Sequence, residues 1–177
     1  MTQARARLEL LTRAGWDHHT PNLLRAIAHH PRLLEPFLGF AAALARGELP
    51  RRESELLALR AAWNCRSEFE WGHHVLYARA AGLSETEVAA IAVGPDAPTW
   101  SDADRALVRA ADELHAHQAL GDATFAALAS RWSEAQLVEI AFVVGQYTML
   151  SMVAGALAVP LEDGLPVLPR DAGAPRS

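Results

Sequence analysis

The chain has 177 residues, enough for a hydrophobic core, and no break in composition divides it, so we predict a single domain over residues 1–177. Its formal net charge is -5, all 16 basic residues are arginine, and neither an arginine cluster nor a stripe of alternating basic and aromatic residues occurs. These features argue against a nucleic-acid partner, and the absence of lysine excludes Schiff-base catalysis by a lysine amine.

The number of cysteines and the lengths of the apolar runs indicate where in the cell the protein is expected. Cys65 is the only cysteine, so one chain forms neither an internal disulfide nor a cysteine-based zinc site. The N-terminal residues carry charges every few positions and lack the apolar region of a signal peptide, and we find no unbroken apolar run long enough to cross a bilayer. We therefore expect a cytoplasmic protein without membrane contact.

The composition favours helices throughout. Hydrophobic residues make up 51% of the chain, while runs of aromatic or β-branched residues are scarce, which predicts an all-α fold. Apolar residues at helical spacing, bounded by proline, glycine and serine, predict successive helices. They cover residues 4–14, 23–30, 31–46, about 50–64, 67–82, 84–93, 102–118, 122–131 and about 134–157.

Several helix starts carry a serine followed by a side chain that suits a cap three residues later. These pairs are Ser67 with Glu70, Ser84 with Glu87, Ser101 with Asp104, and Ser133 with Gln136. The last helix is almost wholly apolar after Glu139, so its surface must be covered by neighbouring helices or by another subunit. The Pro/Gly-rich residues from about 160 to 177 predict an irregular tail.

One predicted helix carries a polar stripe in an otherwise apolar protein. Ser67, Glu70, His74 and Tyr77 follow the spacing i, i+3, i+7, i+10 and therefore share a face. A histidine that titrates near neutrality, oriented by a carboxylate such as Glu70 or Glu55, is typical of a general acid–base site. The alternative is that Ser67 and Glu70 only cap the helix and that His74 is an ordinary surface residue.

The sequence gives weaker support to two other kinds of site, a nucleophilic cysteine and a metal site. Cys65 is a nucleophile if it lies at the positive N-terminal end of the second central helix, and otherwise a small buried hydrophobic residue. Glu70 and His73 form Glu-x-x-His, and Asp112 to His115 loosely repeat that pattern, as in dimetal helix bundles. Further inward carboxylates and a clean second motif are not evident, so we predict no metal and no cofactor.

Three segments carry a pattern that is more specific than any single motif. They are PNLLRAIAHHPRLL, RRESELLALRAAWNCRSEFEWGHHVLYARAAGLSETEVAAI and DADRALVRAADELHAHQALGDATFAALASRWSEAQLVEIAFVVGQYTMLSM. Together they span about residues 20–162 and resemble the carboxymuconolactone decarboxylase and alkylhydroperoxidase-D-like family. The resemblance implies an all-helical bundle that assembles as a homotrimer or homohexamer, with the active site near a subunit interface.

The hydroperoxidase branch of that family uses a glutamate, a Cys-x-x-Cys pair and a histidine four residues after the second cysteine. With His74 as the histidine, the glutamate is Glu55, and the cysteine positions hold Ser67 and Glu70. Both redox sulfurs are absent, and Cys65 lies two residues before the first of these positions. The resemblance therefore implies the acid–base pair of the decarboxylase branch rather than a two-thiol relay.

We predict a cofactor-independent lyase or isomerase that acts on a small carboxylated lactone or an enol-forming organic acid. The alternatives are a thiol-dependent hydroperoxide-reducing protein that uses Cys65, and a noncatalytic protein that binds a small molecule. The predicted catalytic residues are His74, Glu55 and Glu70. The predicted substrate-binding residues are Ser67, Cys65, Trp71, His73 and Tyr77.

Overall fold

The computed structural model describes residues 6–169, and within that range it contains eight α-helices and no β-strand. The helices are α1 (Asn22–Ile27), α2 (Pro31–Ala45), α3 (Arg51–Asn64), α4 (Glu68–Ala80), α5 (Glu85–Val93), α6 (Asp102–His117), α7 (Asp122–Ala129) and α8 (Glu134–Leu157). The all-α prediction is confirmed, and most predicted boundaries agree with the observed ones to within a few residues.

Helix α3 is the centre of the bundle. It packs against α4, α5, α6 and α8, and every residue from 54 to 63 is buried, including Glu55 and Arg60. Arg60 donates to both carboxylate oxygens of Asp112, which satisfies its charge inside the core. A helix buried on all sides in this way has no amphipathic stripe, which is why its two ionisable core residues are hard to recognise by periodicity.

Serine caps set the helix boundaries. Ser84 with Glu87 and Ser133 with Gln136 form complete capping boxes, and the Ser101 side chain accepts a hydrogen bond from the backbone N–H of Asp104. At α4 the Ser67 side chain accepts from the backbone N–H of Glu70, but the Glu70 side chain does not return to the cap. The Glu70 carboxylate is therefore available for other contacts.

The predicted N-terminal helix over 4–14 is wrong for the described part of that range. Residues 6–14 form no helix. The backbone N–H of Arg7 donates to the carbonyl oxygen of Leu157, and that of Leu11 donates to Arg25, so two donors that a helix would use internally are bonded to distant segments. Residues 4 and 5 lie outside the described range.

Helix α8 is buried on one side and apolar on the other. Val143, Val144 and Leu150 lie in the core, whereas Phe142 and Met152 are exposed. By length and composition α8 is the one helix among the described residues that could cross a membrane. Core helices of globular proteins meet the same criterion, because burial in protein and burial in lipid both favour apolar side chains.

Residues 161–169 follow α8 without forming a helix and run back over the bundle. Leu168 packs against the main core, and Leu161 lies on α4. The remainder of the predicted irregular tail, 170–177, lies outside the described residues.

Candidate active site

The site begins at the connection between α3 and α4. Arg66 has a positive φ of 53°, which turns the chain between the two helices, and Ser67 then caps α4. The two helices pack against each other, so a residue near the start of α3 meets one in the middle of α4. This arrangement brings Glu55 to His74.

Glu55 and His74 form a buried hydrogen-bonded pair. The Oε2 atom of Glu55 lies 2.6 Å from Nδ1 of His74, and the two residues are only 1% and 4% exposed. A carboxylate only accepts hydrogen bonds, so Nδ1 of His74 carries the proton and donates it to Glu55. In the neutral imidazole, Nε2 then has a free lone pair, which is the form of histidine that acts as a base.

Glu70 lies on the other side of the imidazole. Its Oε2 atom is 3.6 Å from Nε2 of His74, and its Oε1 atom has no hydrogen-bond partner among the described residues. Burial raises the pKa of Glu70 above the ordinary carboxyl value, although positive charge on His74 and His73 opposes that shift. Glu70 therefore keeps its proton to a higher pH than an exposed glutamate and has an atom available to bind a further group.

Arg51 supplies positive charge at the edge of the site. Its Nη2 atom lies 2.6 Å from Oε1 of Glu55, four residues along α3, but Oε1 has no hydrogen bond to any described residue. The contact therefore acts by charge attraction. Because Arg51 is half exposed, solvent screens this attraction and Glu55 depends mainly on His74 for its hydrogen bond.

Two tyrosine rings surround the imidazole. Tyr147 of α8 contacts His74 edge-on at 4.2 Å between ring centroids, and Tyr77 of α4 does so at 5.4 Å. Burial raises the pKa of both phenols, and the negative charge of Glu55 adds to the effect. Both phenols therefore stay protonated at neutral pH and keep an O–H group that is able to donate a hydrogen bond.

Sequence analysis did not predict Tyr147. Only one feature of the sequence pointed to this position: Gln146 and Tyr147 carry polar groups within an otherwise apolar helix. The structure shows that Gln146 is buried. A polar group inside a buried apolar helix needs a partner, so such a pair is a reason to look for a site.

The other predicted substrate-binding residues lie in three different environments. Trp71 is 2% exposed in the main core against Trp63, which leaves it almost no surface for a substrate. His73 donates from Nε2 to Glu162 at 2.8 Å, a partner that sequence analysis missed because it comes from the segment after α8. Ser67 lines a cleft.

That cleft has a volume of about 380 Å³ and lies between the start of α4 and the end of α8. Cys65, Ser67 and Phe69 line one side, and the other includes Ser151 and Leu161. Glu70 and His74 are not among its lining residues, so the acid–base group is closed off from the cleft, and its nearest link to the cleft is Ser67, whose side chain accepts from the backbone N–H of Glu70.

Cys65 is the C-cap residue of α3, at the negative end of that helix rather than at the positive end of α4. Its Sγ atom lies 3.8 Å from Nδ1 of His115. Asp112, the carboxylate of the loosely repeated metal motif, is held by Arg60 and Asn64. The metal-like pattern in α6 therefore has a structural explanation.

Comparisons with known proteins agree with this architecture. Residues 31–113 match the carboxymuconolactone decarboxylase family. No curated protein matches the sequence. Among solved structures, an uncharacterised peroxidase-related protein from Silicibacter sp. TM1040 has a TM-score of 0.78 and 19% identity over 92% of this chain and 96% of its own.

Two further solved structures show the same fold. A protein of unknown function from Agrobacterium tumefaciens, described as a candidate antioxidant defence protein AhpD, has a TM-score of 0.70 and 22% identity over 77% of this chain and 94% of its own. The debrominase Bmp8, solved with 2,3,4-tribromopyrrole, has a TM-score of 0.72 and 20% identity over 81% of this chain and 78% of its own. Residues 31–113 thus belong to the carboxymuconolactone decarboxylase family, and the fold around them is alkylhydroperoxidase-D-like.

Proposed function

We propose that this chain is a cofactor-independent lyase or isomerase that acts on a small carboxylated lactone or an enol-forming organic acid. The observation that carries the proposal is the buried series of Glu55, His74 and Glu70, joined by contacts of 2.6 Å and 3.6 Å at the two imidazole nitrogens. A series of ionisable groups that ends in an unpaired carboxylate oxygen on Glu70 is suited to moving a proton.

Each group has a distinct role in this proposal. Glu55 holds His74 in the tautomer that leaves Nε2 able to accept a proton. His74 then shuttles the proton between Nε2 and the reacting carbon or oxygen. Glu70, whose pKa burial raises, is the proton donor on the substrate side.

For a lyase, the bond between the substrate carbon and its carboxylate breaks, carbon dioxide leaves, and the electron pair passes into the conjugated lactone or enone. Glu70 or His74 then protonates the resulting dienolate. For an isomerase, the same groups remove a proton from carbon and return it elsewhere. The low exposure of the site favours loss of charge from a carboxylate, since a charged ground state is weakly solvated there.

A panel of carboxylated lactones and enol-forming acids tests the proposal by carbon dioxide release and by deuterium uptake from D2O. We expect His74→Gln and Glu70→Gln to lower turnover by roughly 100-fold or more, the usual contribution of a positioned acid or base. The matched control is Glu134→Gln, an exposed glutamate at the start of α8 that does not line the cleft. Full turnover by His74→Gln would refute the acid–base proposal.

The second candidate is a thiol-dependent hydroperoxide-reducing activity, favoured by Cys65, which lines the cleft and contacts His115. A Cys65 thiolate would attack the peroxide oxygen, release the alcohol and become a sulfenic acid, which an external thiol would reduce. Hydroperoxide consumption abolished by Cys65→Ser and unaffected by His74→Gln would favour this function. Ligand binding that stabilises the protein without any turnover would favour a noncatalytic binding protein.

The proposal includes a small-molecule substrate and self-association. The exposed apolar face of α8, which includes Val138, Phe142, Met149 and Met152, is the surface that a second copy would cover. The homotrimer or homohexamer implied by the family resemblance, and the cytoplasmic location, stay predictions.

A further inference from the structure

The segment after α8 is held against α4 at three points. Leu161 and the carbonyl oxygen of Pro166 lie directly over Gly72, so closely that a Cβ atom there would be 2.7 Å and 2.9 Å from them. Glu162 accepts from Nε2 of His73 at 2.8 Å. We call residues 160–168 the strap.

The strap is also tied to the N-terminal part of the chain. The second carboxylate oxygen of Glu162 accepts from the backbone N–H of Asn22 at 2.6 Å, and the Asn22 side chain donates to the carbonyl oxygen of Pro160. Glu162 therefore joins α1, α4 and the strap. Removing this one carboxylate leaves two donors without their partner.

The strap forms one wall of the cleft beside Ser67. Pro160 and Leu161 line it together with Ser67, Phe69 and Cys65. Burial raises the pKa of Glu70, and Glu162 of the strap is close enough to Glu70 for its negative charge to raise that pKa further. Glu55, Glu70 and His74 are almost completely buried and do not line the cleft. A substrate that reaches Glu70 must therefore displace a covering element.

We propose that the strap moves as a gate that opens and closes access to the cleft. The hydrogen bond between Glu162 and His73 holds the strap in the closed position. The gating itself stands on geometry alone, whereas its purpose, admission of a substrate to Glu70, rests on the function proposed above. No residue of the strap is fully buried, whereas seven residues of α4 are, and low burial is typical of elements that open locally.

Cys65 provides a direct probe because it is the only cysteine and lines the cleft. The experiment compares the labelling rates of the full chain with small iodoacetamide and with bulky fluorescein-5-maleimide. In Glu162→Ala, we expect the rate with the bulky reagent to rise roughly tenfold relative to iodoacetamide, as expected from losing charge-assisted hydrogen bonds. Asp163→Ala is the matched control, since Asp163 is the adjacent exposed acid.

A second variant displaces the strap by a different contact. In Gly72→Ala the new methyl group clashes with Leu161 and with the backbone of Pro166, so it should also increase labelling by the bulky reagent. This variant keeps the test valid if Glu162→Ala fails to fold.

Labelling rates that agree within about twofold in wild type and in whichever of these variants folds would overturn the gate, and any larger increase with the bulky reagent would support it, because removing the contacts that hold the strap must shift its opening equilibrium. This result is independent of the reaction. If the variants open the cleft while no lactone or acid is turned over, the gate stands and only the acid–base function fails.

Discussion

The Oε2 atom of Glu55 lies 2.6 Å from Nδ1 of His74, inside the interface between α3 and α4. This hydrogen bond links two helices through the centre of the bundle, so it contributes to stability as well as to the proposed chemistry. The two contributions can be separated by different substitutions at Glu55.

Glu55→Ala should lower the free energy of unfolding by about 1–3 kcal/mol, because it leaves the buried Nδ1 donor of His74 without a partner. Glu55→Gln retains an acceptor for Nδ1 of His74 and should cost less, although it removes the negative charge beside the imidazole. Urea denaturation at pH 7 measures both, with exposed Glu68→Ala as the control. An effect of Glu55→Ala no larger than that of the control would contradict the buried hydrogen bond.

Glu70 predicts a specific pH dependence of stability. Its pKa is raised by burial, so the folded protein holds the Glu70 proton where the unfolded chain has released it. The stabilisation is complete below the ordinary glutamate pKa and is lost as pH rises through the folded value, since an ionised buried carboxylate disfavours folding. Glu70→Gln should therefore be less sensitive than wild type to increasing pH above about 4.5. Unfolding free energies measured from pH 4 to pH 8 check this, and parallel curves for the two proteins would refute it.

Gly47→Ala should destabilise the protein although the backbone conformation of Gly47 accepts alanine. The added Cβ would lie 1.8 Å from Oε1 of Glu139, whose other oxygen accepts from the backbone N–H groups of Glu48 and Leu49. Moving that buried carboxylate should cost about 1–3 kcal/mol. Thermal and urea unfolding measure the change.

The matched control for Gly47→Ala is Gly39→Ala in the interior of α2, where an added Cβ meets nothing within 4 Å. It should stabilise the helix by up to about 1 kcal/mol, because alanine has the higher helix propensity. Equal effects of the two substitutions would show that Glu139 adapts freely.

Self-association through α8 predicts that Phe142→Asp dissociates the assembly. Phe142 and Phe125 are each 51% exposed, but only Phe142 lies on the apolar face of α8. Phe125→Asp on α7 is thus a control with the same change in chemistry and the same initial exposure. Sedimentation velocity measures the mass of each variant. A monomeric wild type, or equal dissociation by both substitutions, would contradict an interface on α8.

The helix boundaries could be predicted from the sequence, whereas the non-helical conformation of residues 6–14 could not. The pairs Ser84 with Glu87 and Ser133 with Gln136 identify helix starts because the capping hydrogen bonds connect residues three apart. The segment 6–14 misled the periodicity argument because its leucines suit a helix while its backbone donors are bonded to Leu157 and Arg25. Such long-range bonds leave no pattern in the local sequence.

In the candidate site, too, the residues related by local spacing were predicted and those brought in by long-range packing were not. Glu70 and His74 share a helix face by spacing alone, and the family resemblance added Glu55. Tyr147 and Glu162 were missed, since their contacts with His74 and His73 depend on where α8 and the strap pack.

By itself, the sequence determined the all-helical fold, the main helix boundaries and the shared face of Glu70 and His74, because backbone hydrogen bonds and helical periodicity act over a few residues. Only the tertiary structure decided that Glu70 is buried, that the ring of Tyr147 contacts His74, and that Glu162 of the strap accepts a hydrogen bond from His73. Burial and long-range contacts arise from the packing of segments distant in the chain, and it is burial that changes the proton affinity on which the proposed chemistry depends.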